Sequence, residues 1–209
     1  MTNQTRIDKN KIIKEIDEKQ DDVLSNIDSE SIAVYIFIKN EFKKGNVLNN
    51  PIFQFVFRSY YRLDSAGLSD NQKTRFFQLL SDKQENLEYI LSELYELLNS
   101  KNQNTIQFSF ATKLLHTINN NKPIYDNNVS RVIKKELKGS GYAKDERICS
   151  CIETYQFLEE LYRDMLEDET IRNIISKFRS KFKVDDEKIS DIKVLDFIMW
   201  SLGDLKKEK

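Results

Sequence analysis

The chain has 209 residues, 39% of them hydrophobic and 32% charged, with a net charge of −1. That length buries a real core, as one domain or as two packed lobes. Five Gly and two Pro are too few for a β-sandwich or a Rossmann fold, which use both in turns and phosphate loops, and the near-neutral balance counts against tight non-specific binding to nucleic acid without excluding a local basic patch.

The pattern of apolar residues predicts eight or nine helices and no strand. The first runs from about Asp8 to Ile27, with Ile12, Ile13, Ile16, Val23 and Leu24 at helical spacing. Asp28 or Ser29 can cap a second, about Glu30 to Lys44, which Gly45 ends. Asn50-Pro51 pairs an N-cap with proline at the first helical position. The helix it opens carries Phe53, Phe55, Val56, Phe57, Tyr60 and Tyr61, which marks it as central, so Arg58 and Arg62 need partners or a solvent edge. It breaks at Gly67. The turn before that glycine could present Arg62 and Asp64 to a ligand or to each other, although a helix ending at Gly explains it more simply.

Ser69 or Asp70 caps the next helix, through Phe76, Phe77, Leu79 and Leu80. Glu85 to Leu98 is amphipathic, and the polar connection Asn99 to Asn104 follows it. After the segment Thr105 to Ile133, the loop Lys138-Gly139-Ser140-Gly141 lacks the preceding strand and the following Lys-Ser/Thr of a P-loop. A long helix spans about Glu146 to Leu166. It carries the two cysteines, Cys149 and Cys151, which are too close for an ordinary bridge and too few for a disulfide framework. With one histidine in the chain, a structural zinc site is not expected either, and nothing points to a cofactor. Helices over about Glu169 to Phe182 and from Ser190 or Asp191 to Leu202 close the chain, before a basic end at Lys206, Lys207 and Lys209. The longest apolar runs, such as Ile32 to Ile38, fall far short of a membrane span, and no signal pattern opens the chain. A cytoplasmic protein with no membrane partner is expected.

One stretch suggests chemistry. From Thr105 the sequence reads as an apolar helix, a polar Asn-rich loop, then Pro123-Ile124-Tyr125-Asp126 opening a second helix through Val129, Val132 and Ile133. Asp126 is thereby set at a helix start, where backbone N–H groups favour a carboxylate. Ala111, Asp126 fifteen positions on, and the trailing Val129-Ser130-Arg131-Val132 follow the register of the helix-hairpin-helix (HhH-GPD) DNA glycosylases. Over residues 105–133 the chain resembles a divergent bacterial member of that superfamily.

The resemblance implies an all-α, DNA glycosylase-like fold. It is one helical domain able to divide into lobes of about 1–98 and 99–209, with segment 105–137 at their junction. It also implies that Asp126 is the catalytic carboxylate acting on a base flipped out of duplex DNA. Lys101, Thr105, Gln107 and Ser109 would then contact the DNA backbone, with Lys113 and Arg131 as phosphate or carboxylate partners. The family's two hairpin glycines, which let backbone amides approach a phosphate, align with Thr105 and Gln107. The lysine of lyase-competent members aligns with Ser109. Any activity is therefore expected to be monofunctional and water-using.

Two other readings stand beside this one. Asp126 can be a helix cap and nothing more, worth about 1 kcal/mol, and His116 reads as a partly buried, hydrogen-bonded structural residue ahead of a general base. In the second functional class the chain is a non-catalytic helical module that binds a protein partner, in a bacterial defence or mobile-element setting.

Overall fold

The computed structural model describes residues 8–207, and among them the structure is all-α, with eleven helices and no strand. They are α1 (Lys9–Glu18), α2 (Gln20–Ser25), α3 (Ser29–Lys43), α4 (Pro51–Tyr61), α5 (Asp70–Ser81), α6 (Leu87–Tyr95), α7 (Phe108–Ile118), α8 (Asn127–Ile133), α9 (Lys144–Leu166), α10 (Glu169–Phe182) and α11 (Asp191–Leu205). The expected first helix is two, broken at Lys19 (φ −112°, ψ 15°). The helix expected over Glu85 to Leu98 is trimmed to Leu87–Tyr95, because Asn86 caps it late and the chain turns out after Glu96.

Helix starts follow side-chain chemistry. Asp8, Asp28, Asn50, Ser69, Asn86, Asp126, Asp168 and Ser190 each accept hydrogen bonds from first-turn amides. Ser69 and Gln72 close a reciprocal capping box. Several helix ends work differently from the glycine stops read in the sequence. Arg62, Lys134 and Lys183 take the left-handed conformation at the C-caps of α4, α8 and α10, with φ of 58°, 50° and 52°. A side chain there costs about 1–2 kcal/mol relative to right-handed backbone, and a cation offsets part of that by facing the negative end of the helix dipole. This accounts for so few glycines in so helical a chain.

One buried apolar cluster runs through the molecule, from Ile12 to Leu202. The first two helices pack on each other and on helices far along the chain. α1 packs on α9 and α10, and α2 packs on α11. Lys181 Nζ donates to the Leu24 carbonyl at 2.7 Å, Ser201 Oγ to the Val23 carbonyl at 2.8 Å, and Lys206 pairs with Glu15 at 2.6 Å. The basic end of α11 is therefore tied down, with Lys207 paired to Asp204 as well. The closest helix contact is α8 on α11. A Cβ placed on Gly203 would lie 2.0 Å from the Asn128 carbonyl oxygen, so only glycine lets the two helices meet there.

Candidate functional site

The segment 122–126, between α7 and α8, is a strap whose backbone is held by side chains from three helices. His116 Nδ1 bonds the Lys122 carbonyl at 2.6 Å. The Tyr155 hydroxyl donates to the Pro123 carbonyl at 3.1 Å. Asp196 Oδ1 accepts from the Ile124 N–H at 3.3 Å, and Thr112 Oγ1 accepts from the Tyr125 N–H at 3.0 Å. The Thr112 hydroxyl faces the carbonyls of Ser109 at 3.0 Å and Tyr125 at 3.2 Å. Pro123, Ile124 and Tyr125 are buried, so their polar backbone atoms need these partners.

The strap delivers Asp126 at the start of α8. Its Oδ1 accepts from the N–H groups of Asn128 at 2.9 Å and Val129 at 3.0 Å. Its Oδ2 takes no hydrogen bond from the described residues. Asp126 is half-buried and is at once a true cap and a carboxylate with one free edge.

Lys113 lies on the same seam. Its amine donates to the Tyr61 carbonyl at 3.3 Å, 4.8 Å from the Phe110 ring centroid and 5.7 Å from that of Tyr61. Burial pushes its pKa down to about 8, against the opposing pull of the carboxylates of Asp126 and Asp196. A lysine of α7 and the carboxylate at the start of α8 thus share one electrostatic environment, bordered by the end of α4.

The other expected contact residues divide. Lys101 stands exposed on the connection before α7, where Asn99 Oδ1 holds the N–H groups of Lys101 at 2.9 Å and Gln103 at 3.0 Å. The connection turns at Asn102 (φ 57°), a left-handed position that Asn takes more readily than most residues. Gln107 is buried and its amide donates to Thr105 Oγ1 at 2.7 Å, which ties two of the expected backbone contacts to each other. Gln107 is the N-cap of α7 without a side-chain bond to its first amides, and Ser109 follows within the first turn. Arg131 is held by Asn128 Oδ1, whose amide in turn donates to Asp204 at 3.3 Å. A depression of about 480 Å³ lined by Tyr125, Ser130, Lys134, Lys135, Glu136 and Leu137 adjoins the strap without including Asp126.

His116 is wholly buried. Its Nε2 meets the Tyr35 hydroxyl at 3.1 Å. Donation from Nδ1 to the Lys122 carbonyl makes Nε2 the acceptor for Tyr35. Burial, and secondarily the charge of Lys193, push its pKa down to about 3, so it stays neutral. Arg58, not Arg62, pairs with Asp64, at 3.2 Å, while Arg62 remains exposed. Cys149 is exposed and Cys151 buried, on different faces of α9. No cluster of three metal-ligating side chains occurs among the described residues, and no helix there is long and apolar enough to cross a membrane.

The sequence reading missed Thr112, Tyr155, Lys193 and Asp196. Lys193 and Asp196 pair at 2.8 Å inside the core, 3% and 5% exposed. Burial pushes the Asp196 carboxyl above the usual carboxylate range, and Lys193 opposes it. Their signal was present: two charges one turn apart in a helix whose other residues, Val194, Leu195, Phe197 and Ile198, leave no solvent face for them.

Fold and site together define an all-helical protein in which a polar-pinned strap presents a half-buried helix-capping carboxylate within electrostatic reach of a half-buried lysine. The chain belongs to DUF6308, described as a family of unknown function, whose profile matches residues 68–203. That span holds the strap, Lys113, Asp126 and the Lys193–Asp196 pair; α1 to α4 lie outside it. No curated protein and no solved structure matches the chain.

Proposed function

We propose that the protein is a divergent DNA glycosylase-like protein that binds duplex DNA at a modified or damaged base and excises that base, with Asp126 as the working carboxylate. The observation that carries the reading is the strap. Four buried side chains fix residues 122–125, and Asp126 then commits one oxygen to α8 and leaves the other without a hydrogen bond from the described residues, within electrostatic reach of Lys113. Positional restraint of this kind favours electrostatic stabilisation of a developing charge. In this reading the bond between the sugar C1′ and the base nitrogen breaks, the free Asp126 oxygen stabilises the positive charge on the sugar, water adds at C1′, and the base leaves with a proton. Lys101, Thr105, Gln107, Ser109, Lys113 and Arg131 supply the DNA-facing surface, through backbone amides at Gln107 and Ser109 more than through side chains.

The test is base release, followed by mass spectrometry, from duplexes carrying oxidised, alkylated or deaminated bases. The wild type is expected to free at least one such base, and Asp126→Asn to lower the rate about 100-fold or more. No release from any duplex, with no preference in binding, would overturn the proposal.

A second reading has its own observation. Leu48 in the turn before α4, and Ile52 and Phe55 on α4, stand 49%, 67% and 63% exposed, outside the family-matched span. An apolar ridge of this kind suits a protein partner. That role predicts that Phe55→Lys abolishes co-purification of a partner while leaving DNA binding unchanged.

A further inference from the structure

The Lys193–Asp196 pair is costly where it stands. Two charges at 2.8 Å, almost without exposure, give up hydration that their mutual attraction recovers only in part, and apolar residues of similar size often serve stability as well or better. The pair's surroundings show what it does reach. Lys193 Nζ lies 4.4 Å from the Phe197 ring centroid and 4.9 Å from that of Tyr35, so aromatic faces complete its environment. The hydroxyl of the buried Tyr162 has no hydrogen-bond partner among the described residues, and the charge of the same carboxylate reaches it. Asp196 Oδ2 is taken by Lys193, and Oδ1 turns to the Ile124 N–H, two residues before Asp126. It is the only one of the four strap contacts that comes from α11, the helix against which α8 packs most closely.

We infer that Lys193 and Asp196 are positioning residues: α11 carries a buried ion pair so that Asp196 can hold the strap through Ile124 and fix where Asp126 stands, with Lys193 keeping that carboxylate charged and oriented. The purpose of this placement rests on Asp126 being the working carboxylate, but the placement itself is a physical property measurable without any activity.

The experiment compares three full-length proteins by hydrogen exchange: the wild type, Lys193→Met/Asp196→Leu, and Lys193→Met/Asp196→Asn. The first double variant removes both charges and the acceptor. The second removes the charges and keeps an acceptor oxygen for Ile124. In the apolar variant the melting temperature is expected to hold or rise. Amides over 122–129 should exchange about tenfold faster, and those of α9 should be unchanged. The Asn variant should recover most of the strap's protection. Unchanged strap protection in the apolar variant would overturn the inference. So would a parallel loss over the strap and α9, or failure of that variant to fold, each of which makes the pair a plain core element. Binding to a duplex with an abasic-site analogue is measured alongside. Preference shown by the wild type, lost in the apolar variant and regained in the Asn variant, ties placement to the proposed function. A wild type without preference removes the glycosylase reading, while the exchange rates still decide whether the pair places the strap.

Discussion

The contact between α4 and α5 and the strap before α8 are built on opposite principles. Between α4 and α5, rings pack on rings: Phe57 lies 4.7 to 5.7 Å, centroid to centroid, from Phe53, Tyr61, Phe76 and Phe77. Apolar burial of that kind is strong and non-directional, and it tolerates small shifts. The strap is held by hydrogen bonds between its backbone and the side chains of His116, Tyr155, Asp196 and Thr112, the last two accepting from its N–H groups. Each adds only about 1 kcal/mol net, but each fixes a direction. The first region supplies stability, and the second supplies placement.

Mutations should separate the two. Phe57→Ala empties the centre of the ring cluster and is expected to cost about 3–5 kcal/mol in denaturant unfolding, with protection over the strap falling no faster than elsewhere. Gly203→Ala acts on the other region. Its Cβ has no room against the Asn128 backbone, so α8 must move off α11. A loss of about 3 kcal/mol or more, together with selective loss of protection over 122–133, is expected. If Gly203→Ala left α8 protected, the close α8–α11 contact would not control the strap.

Acid should expose the strap next. The His116 pKa is lowered in the folded state to about 3 from an ordinary 6.5. Its stabilising contribution is therefore complete above pH 6.5 and is lost as pH falls from 6.5 towards 3, by up to about 1.4 kcal/mol per pH unit. In His116→Gln, unfolding free energy between pH 6.5 and 4 should fall less steeply than in the wild type. Equal slopes would mean that the imidazole is not held neutral. The smallest effect belongs to Asp126. Asp126→Ala should cost about 1 kcal/mol as a lost cap, and Asp126→Asn only a few tenths, because an amide oxygen caps nearly as well. Melting curves of both variants check this. Any larger loss of function in Asp126→Asn then reports on charge and not on folding.

Much of this was legible in the sequence wherever local chemistry decides. Asn50-Pro51, the Ser69 box, the limits of Glu169–Phe182 and the loop before α8 all follow from caps and apolar spacing. Asp126 as the N-cap of α8 was readable from Pro123-Ile124-Tyr125-Asp126 alone. The contacts around the strap were not, because residues 112, 116, 155 and 196 come to it from three helices, two of them far from it in sequence. The break at Lys19 and the left-handed cations at Arg62, Lys134 and Lys183 were hidden for a different reason. Glycine is favoured at such caps without being required, so Arg and Lys there leave no cue in the sequence. The return of α1 and α2 onto α9, α10 and α11 likewise has no local signal.

The most direct test of the central claim is the affinity of the protein for duplexes carrying a neutral abasic-site analogue and a cationic pyrrolidine analogue, each measured with the wild type and with Asp126→Asn. A carboxylate placed to stabilise positive charge on the sugar predicts tighter wild-type binding to the cationic analogue, about tenfold or more, with that advantage lost in Asp126→Asn while binding to the neutral analogue is retained. Equal affinity for both analogues, or a cationic preference that survives the substitution, would contradict the assignment of Asp126 and leave it a helix cap.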